Sequence, residues 1–162
     1  MDNSALHIET CAKQGNAFLP LQSLNQLTLR DPQYVDGSIR VFVNGRPLIT
    51  DAEWTDIVHW WARMNNVLYE LSTGTKQVIE TYFPDSASKM RFETIGDKLI
   101  WKVNGAELWT ATLDRRHALQ TLARESRATF ERLKVLNPAC TGNYDIDLAC
   151  LAKLSLPSSG RS

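Results

Sequence analysis

The residues best suited to catalysis or metal binding stand at spacings that match no catalytic or metal-ligand motif. His59 and His117 fall on the polar sides of two predicted helices, without a serine, cysteine or aspartate partner at motif spacing. His7 and Cys11 are four residues apart, a metal-ligand spacing on a helix but not on the strand that their segment favours. Glycine-rich phosphate motifs are missing from the sequence. We therefore expect no catalytic centre, no metal and no cofactor.

One basic cluster, Arg115-Arg116-His117, stands where an anion would bind. It occupies the first turn of the second predicted helix, where free backbone amides and the helix dipole favour negative charge. Cationic side chains are unfavourable beside that end of the dipole, and a bound anion would explain why they are present. Solvated arginines offset by Asp114, the predicted N-cap residue, explain the same sequence. Both interpretations remain open.

The three cysteines, Cys11, Cys140 and Cys150, form no close pair, which is typical of free thiols in a reducing compartment. The chain start lacks a signal-like apolar run, and no stretch approaches the roughly 20 apolar residues of a membrane span. We therefore expect a cytosolic protein without a membrane partner.

Composition bounds the class of partner and the number of domains. Lysine and arginine total 18, as do aspartate and glutamate, so the formal net charge is zero. A general nucleic-acid binder normally carries a basic excess, and we expect no nucleic-acid partner. The 162 residues suit one domain. We predict a single α+β domain over residues 1–154 and a disordered Ser/Pro/Gly tail over residues 155–162.

The clearest predicted element is a helix that begins at Thr50. Thr50 and Glu53 form a capping box, and Gly74 suits the C-cap. Apolar residues repeat at helical spacing over an arc too broad for one sheet face. Such an arc fits further core packing or an aromatic docking surface, and both remain open. The residues of the arc are Trp54, Ile57, Val58, Trp60, Trp61, Met64, Val67, Leu68 and Leu71.

The other elements complete an α+β pattern. A second helix is predicted from Asp114 to Leu136, and short alternating runs predict strands joined by Asn-Gly and Gly-Asp turns. We predict a largely antiparallel sheet of about six strands with two long amphipathic helices on one face. The run Val43-Asn44-Gly45 recurs sixty residues later as Val103-Asn104-Gly105, through a diverged repeat or through convergence on a good turn.

A resemblance to a known class rests on residues 36 to 136. The run from Asp36 to Ile49 forms a strand, a turn and a strand, and a Trp-rich helix follows; Tyr82-Phe83-Pro84-Asp85 then ends a strand before the meander. This layout resembles the small α+β immunity proteins that bacteria encode beside polymorphic or secreted toxins. The resemblance implies a bacterial cytoplasmic inhibitor, monomeric or weakly dimeric, that binds a cognate toxin encoded by the adjacent gene and occludes its active site.

The first helix is the predicted contact surface for such a partner. Its exposed charges are net negative and would complement the basic site of a nuclease toxin. The candidate partner-binding residues are Glu53, Asp56, Trp60, Arg63, Tyr34 and Asp36. Two alternatives remain: a small-ligand or anion-binding protein or enzyme that uses Arg115, Arg116 and His117, and a structural subunit of a bacterial assembly.

Overall fold

The computed structural model of the chain describes residues 5–154 and residue 156. Within this part of the chain, two antiparallel sheets and three α-helices are present. The α+β class is confirmed. The sheet count is not as predicted, because the strands divide into one sheet of five and one of four instead of a single sheet of about six. The predicted disordered tail lies, apart from Leu156, outside the described residues.

In the first sheet, β3 (Asp36–Val43) pairs with three other strands. β1 (Leu6–Gln14) pairs with both β2 (Ala17–Pro20) and β3, and β4 (Arg46–Ile49) lies on the other side of β3. The two-residue strand β5 (Thr55–Asp56) also pairs with β3. All of these pairings are antiparallel.

The second sheet is a simple meander in the order of the chain. Its strands are β6 (Val78–Tyr82), β7 (Lys89–Ile95), β8 (Lys98–Asn104) and β9 (Leu108–Asp114). The antiparallel meander predicted for the last three strands is confirmed. Alternate side chains enter the core because successive residues of a strand point to opposite faces. The fully buried ones on β7 and β8 are Met90, Phe92, Leu99, Trp101 and Val103.

The two Asn-Gly turns of the sixty-residue similarity differ in geometry. Asn44 and Gly45 have φ values of 52° and 78°, as the predicted type I′ turn between β3 and β4 requires. Gly105 has no positive φ, and its amide instead donates to the Glu107 carbonyl at 3.1 Å. The two segments share the order of their elements but not the turn, so the question of a repeat stays open.

The first long helix, α1 (Ile57–Thr73), begins seven residues later than predicted. Thr50 caps a 3₁₀ turn, Asp51–Glu53, and accepts a hydrogen bond from the Ala52 amide. The chain then extends to pair with β3, and this tertiary pairing overrides the local helical pattern. Asp56 is the N-cap of α1, whereas the predicted end at Gly74, with φ 71°, is confirmed.

Two further helices complete the core. α2 (Arg115–Leu136) agrees with the prediction, whereas α3 (Thr141–Ala152) begins earlier than the short helix that the sequence indicates from about Ile146 to Lys153. α2 contacts strands of both sheets, so the helices do not lie on one face of one sheet. Buried apolar side chains from both sheets and all three helices form one continuous cluster. No helix in the described part of the chain is long and apolar enough to cross a membrane.

Candidate functional site

The Asp56 carboxylate organises the start of α1. One of its oxygens accepts hydrogen bonds from the Val58 and His59 amides at 2.9 and 3.3 Å. The other lies 2.7 Å from Nδ1 of the His59 ring, and the Asp56 amide donates to a carboxylate oxygen of Asp85 at 2.9 Å. Asp56 is only 2% exposed, and a carboxylate so deeply buried requires several such partners.

The Asp56 contact fixes the orientation of the His59 ring. A neutral imidazole in this arrangement carries its proton on Nδ1, toward the carboxylate, and presents Nε2 as an acceptor. Tyr34 stacks on the ring with centroids 5.8 Å apart and an interplanar angle of 27°. The expectation that His59 has no aspartate partner is wrong. The sequence contains one signal for this pair. Asp56 and His59 are three residues apart, and positions i and i+3 are neighbours at the start of a helix.

The ring borders a small cleft between α1 and α3, which we call the His59 cleft. It has a volume of about 200 Å³. Asp147 on α3 faces it, and burial raises the pKa of this carboxyl, while the Asn65 side chain and His59 lower it. The residues lining the cleft are Gln33, Tyr34, Val58, His59, Ala62, Cys140, Asn143, Tyr144 and Asp147.

A second and larger cleft, the Trp54 cleft, has a volume of about 430 Å³. Every charged side chain among the described residues that line it is a carboxylate. Burial raises the pKa of the Glu53 carboxyl, and Glu107 adds to this effect. Trp54 is 45% exposed and already accepts a cation, because Nζ of Lys13 lies 4.6 Å from its ring centroid. The lining residues are Asp36, Ala52, Glu53, Trp54, Asp85, Ser86 and Ser88.

The two clefts flank the same short pairing of β3 with β5. The Cα atom of Asp36, which lines the Trp54 cleft, is paired with that of Asp56, which holds the ring of the His59 cleft. The amide of Ile57 donates to the Val35 carbonyl at 2.9 Å, next to Tyr34. The segment Asp31 to Gly37, whose turn-forming residues predict a loop, is therefore joined to the start of α1, and its last two residues begin β3.

Three of the six predicted partner-binding residues are buried, although the sequence indicated that they would be exposed on the first helix. Glu53 is 4% exposed and its carboxylate accepts a hydrogen bond from the Thr50 hydroxyl at 3.0 Å. Asp56 is buried as the N-cap. Trp60 is fully buried, in an edge-to-face contact with Trp61 at a centroid distance of 4.9 Å. Their predicted exposure is wrong because the 3₁₀ turn and β5 direct Glu53 and Asp56 toward the core, and Trp60 lies on the buried face of α1.

The other three predicted residues are exposed. Tyr34 and Asp36 belong to the two clefts, and Arg63 lies further along α1. The Arg63 guanidinium donates to the Tyr82 carbonyl at 2.6 Å and so ties α1 to the end of β6. Trp54, which the sequence placed in the apolar arc of the helix, instead precedes β5 and is the exposed aromatic that the prediction missed.

The predicted anion cluster is exposed at the start of α2. The Asp114 carboxylate accepts from the His117 amide at 2.8 Å and caps the helix, as the alternative explanation for this cluster required. His117 borders a groove between α2 and the C-terminal segment, whereas Arg115 and Arg116 do not line it. Across the described residues, no group of three histidine, cysteine or acidic side chains is placed to hold a metal ion.

Comparison of the chain with protein-family models, with curated proteins and with solved structures finds no match. The proposed function therefore rests on the two clefts at the start of α1, since sites carry function more directly than folds do.

Proposed function

We propose that this chain is an immunity protein that binds a cognate bacterial toxin and blocks the active site of that toxin. The observation that carries the proposal is the pair of exposed aromatic residues, Tyr34 and Trp54, at two clefts beside the start of α1. Tyrosine and tryptophan dominate the binding energy of protein interfaces. Here they border carboxylates, so the surface suits a partner with basic residues.

The Trp54 cleft supplies the chemistry of recognition. An arginine or lysine of the partner that entered it would meet the carboxylates of Asp36 and Asp85 beside Trp54, whose ring already carries the Lys13 ammonium. Toxins that cleave nucleic acids carry basic active sites, and an acidic surface both matches such a site and accelerates association. The function requires binding and occlusion only, without a reaction on this chain.

The surface is held in place before a partner arrives. β5 is paired with β3, and the Asp85 side chain is hydrogen-bonded to the Asp56 amide. Gly105 contributes from the second sheet, because a Cβ atom there would lie 2.6 Å from Cγ of Glu53. A pre-organised surface loses little conformational entropy on binding, which favours a tight complex. Such an inhibitor acts in the bacterial cytoplasm as a monomer or weak homodimer.

The experiment that tests the proposal is co-expression with the product of the adjacent reading frame. We expect that product to arrest growth when it is expressed alone, and growth to recover when this chain is present. Co-purification should give a complex of one chain of each protein. The proposal is contradicted if the neighbour is harmless, or if this chain neither binds it nor restores growth.

A further inference from the structure

The outer edge of the second sheet, along β6, has no partner strand. β6 stands at the end of the order β6-β7-β8-β9, and no strand in the described part of the chain pairs with its other side. β7 is the one helix or strand that packs extensively against it there. The sequence of β6 contains no proline and is rich in β-branched and aromatic residues. Such an edge presents backbone donors and acceptors to which a further strand can bond.

The pairing with β7 determines which residues of β6 face this open edge. In an antiparallel pair, hydrogen-bonded and non-hydrogen-bonded positions alternate. The Thr94 amide donates to the Gln77 carbonyl at 2.9 Å just before β6. The Phe83 amide donates to the Ser88 carbonyl at 2.8 Å just after it. The odd-numbered residues of β6 therefore bond toward β7, and the even-numbered residues direct their amides and carbonyls to the open edge.

All but one of these outward backbone groups are free to bond to a partner. The exception is the Tyr82 carbonyl, which accepts the hydrogen bond from the Arg63 guanidinium. Within the described residues, the amides and carbonyls of Val78 and Glu80 and the amide of Tyr82 have no backbone partner. An extended segment laid beside β6 would satisfy these groups, as in other complexes formed by strand addition.

The side chains of the same three residues define the chemistry of the partner. Because alternate residues of a strand point to one face, Val78, Glu80 and Tyr82 lie together on the open face of the sheet. Val78 is 40% exposed and Tyr82 is 54% exposed, so two apolar positions flank a carboxylate. The Glu80 side chain is 46% exposed, and one of its oxygens lies 2.5 Å from Nζ of Lys89. That contact is the main cause that lowers the pKa of Glu80, which is therefore charged at neutral pH.

The charge of Glu80 disfavours a second copy of this chain as the partner. A two-fold antiparallel pairing of β6 with itself that used all three outward residues would place Glu80 directly opposite the same residue of the other copy. Like charges in directly opposite positions destabilise a pair of strands. A basic residue at that position would be attracted instead, and apolar residues two positions to either side would lie opposite Val78 and Tyr82.

We propose that β6 receives an extended segment of another protein as an added strand of the second sheet. That segment carries a lysine or arginine opposite Glu80 and apolar residues opposite Val78 and Tyr82. The proposal does not rest on the immunity function, because none of these three residues lines the His59 cleft or the Trp54 cleft.

The test is titration of the isotope-labelled full chain with a synthetic peptide of sequence TVTKTVT, acetylated and amidated at its ends, followed by amide chemical shifts. We expect saturable shifts at the amides of Val78, Glu80 and Tyr82. The peptide TVTETVT, in which glutamate replaces the lysine, should bind about fivefold more weakly. This factor is equivalent to about 1 kcal/mol, the upper range for a cross-strand charge pair.

Two variants and a matched control locate the site. Val78→Pro removes one outward amide, and proline is tolerated at the first position of an edge strand, so the pairing of β6 with β7 should remain. This variant should bind TVTKTVT at least about tenfold more weakly, whereas the control Val78→Ala, which keeps the amide, should stay within about threefold. Glu80→Lys should reverse the preference between the two peptides, and this result does not require the proline variant to fold.

Three peptide results would overturn the proposal: no saturable shifts along β6 with TVTKTVT, equal binding of the two peptides, or an unchanged preference in Glu80→Lys. Sedimentation of the chain alone provides a further test. If the chain dimerises and Val78→Pro abolishes the dimer, a second copy occupies the edge and the proposal is wrong.

Discussion

The buried Asp56 carboxylate pairs with the exposed imidazole of His59, with a carboxylate oxygen 2.7 Å from Nδ1 of the ring. The same carboxylate caps α1 through two backbone amides. One side chain therefore starts the helix, orients the ring against which Tyr34 stacks, and holds the edge of the proposed binding surface in place.

Removal of the Asp56 carboxylate should destabilise the protein strongly. Asp56→Ala loses the helix cap and leaves buried donors without an acceptor, and we expect a loss of about 2–3 kcal/mol in the free energy of unfolding. Asp56→Asn keeps a capping oxygen and should lose less. Urea denaturation of the two variants measures the difference. Equal losses in both would contradict the capping role.

Two glycines should respond to alanine in opposite directions. A Cβ atom at Gly37 would lie 1.9 Å from the Cys11 carbonyl oxygen, and that backbone is fixed by the pairing of β1 with β3. Gly37→Ala should therefore cost more than about 3 kcal/mol or prevent folding. At Gly142, within α3, a Cβ atom would meet nothing within 4 Å.

Gly142→Ala is the matched control. Alanine is favoured over glycine inside a helix by up to about 1 kcal/mol, so thermal unfolding of this variant should occur at the same or a higher temperature. A destabilised Gly142→Ala protein, or a Gly37→Ala protein of unchanged stability, would contradict the backbone geometry described for these two positions.

The three cysteines should differ sharply in reactivity. Cys150 is exposed, whereas Cys11 and Cys140 are buried. Burial is the main cause that raises the pKa of the Cys11 thiol to about 11, so very little thiolate is present at pH 8. We expect an aromatic disulfide reagent to titrate one thiol rapidly in the folded protein and three in denaturant. Cys150→Ser should abolish the rapid reaction, and a rapid reaction that persisted would contradict this assignment.

The ion pair between Arg40 and Asp51 should make stability depend on pH. Nε of Arg40 lies 2.9 Å from the Asp51 carboxylate, which also accepts from the Ser38 hydroxyl at 2.6 Å. The Arg40 guanidinium is the main cause that lowers the pKa of Asp51 below its usual 3.8. This contribution to stability is therefore present above pH 3.8 and is lost as the pH falls through the lower pKa of the folded state.

Asp51→Asn measures that contribution. Because the pair is partly exposed, we expect a loss of about 1 kcal/mol at pH 7. The difference between the unchanged protein and the variant should shrink as the pH is lowered from 3.8 downward, in urea titrations at several pH values. A difference that stayed constant over that range would show that the Asp51 charge is not responsible.

Local sequence patterns predicted correctly the elements that are determined by residues close together in the chain. The type I′ turn at Asn44-Gly45, the end of α1 at Gly74 and the whole of α2 depend on nearby residues. The start of α1 was missed because β5 pairs with a strand about twenty residues earlier, and this tertiary contact outweighs a capping box. The division into two sheets was missed for the same reason, since strand partners are not encoded in alternation.

The candidate sites were predicted only in part. Tyr34 and Asp36 are exposed, as their place in a turn-rich segment predicts. Trp60 is a tryptophan, a residue type that often anchors interfaces, but here it faces the core. The Trp54 cleft joins residues from three separate segments, at positions 36, 52–54 and 85–88, and only the folded chain brings them together. A single sequence contains no signal for that meeting.

The immunity proposal is tested most directly by the affinity between this chain and the purified toxin domain of the adjacent gene, measured by calorimetry with two variants. Trp54→Ala should weaken a one-to-one complex at least about thirtyfold, the equivalent of a 2 kcal/mol interface anchor. Tyr69→Ala, an equally exposed aromatic about 15 Å along α1 from His59, should leave affinity unchanged. The absence of a complex, or equal affinities for Trp54→Ala and the unchanged protein, would contradict the account.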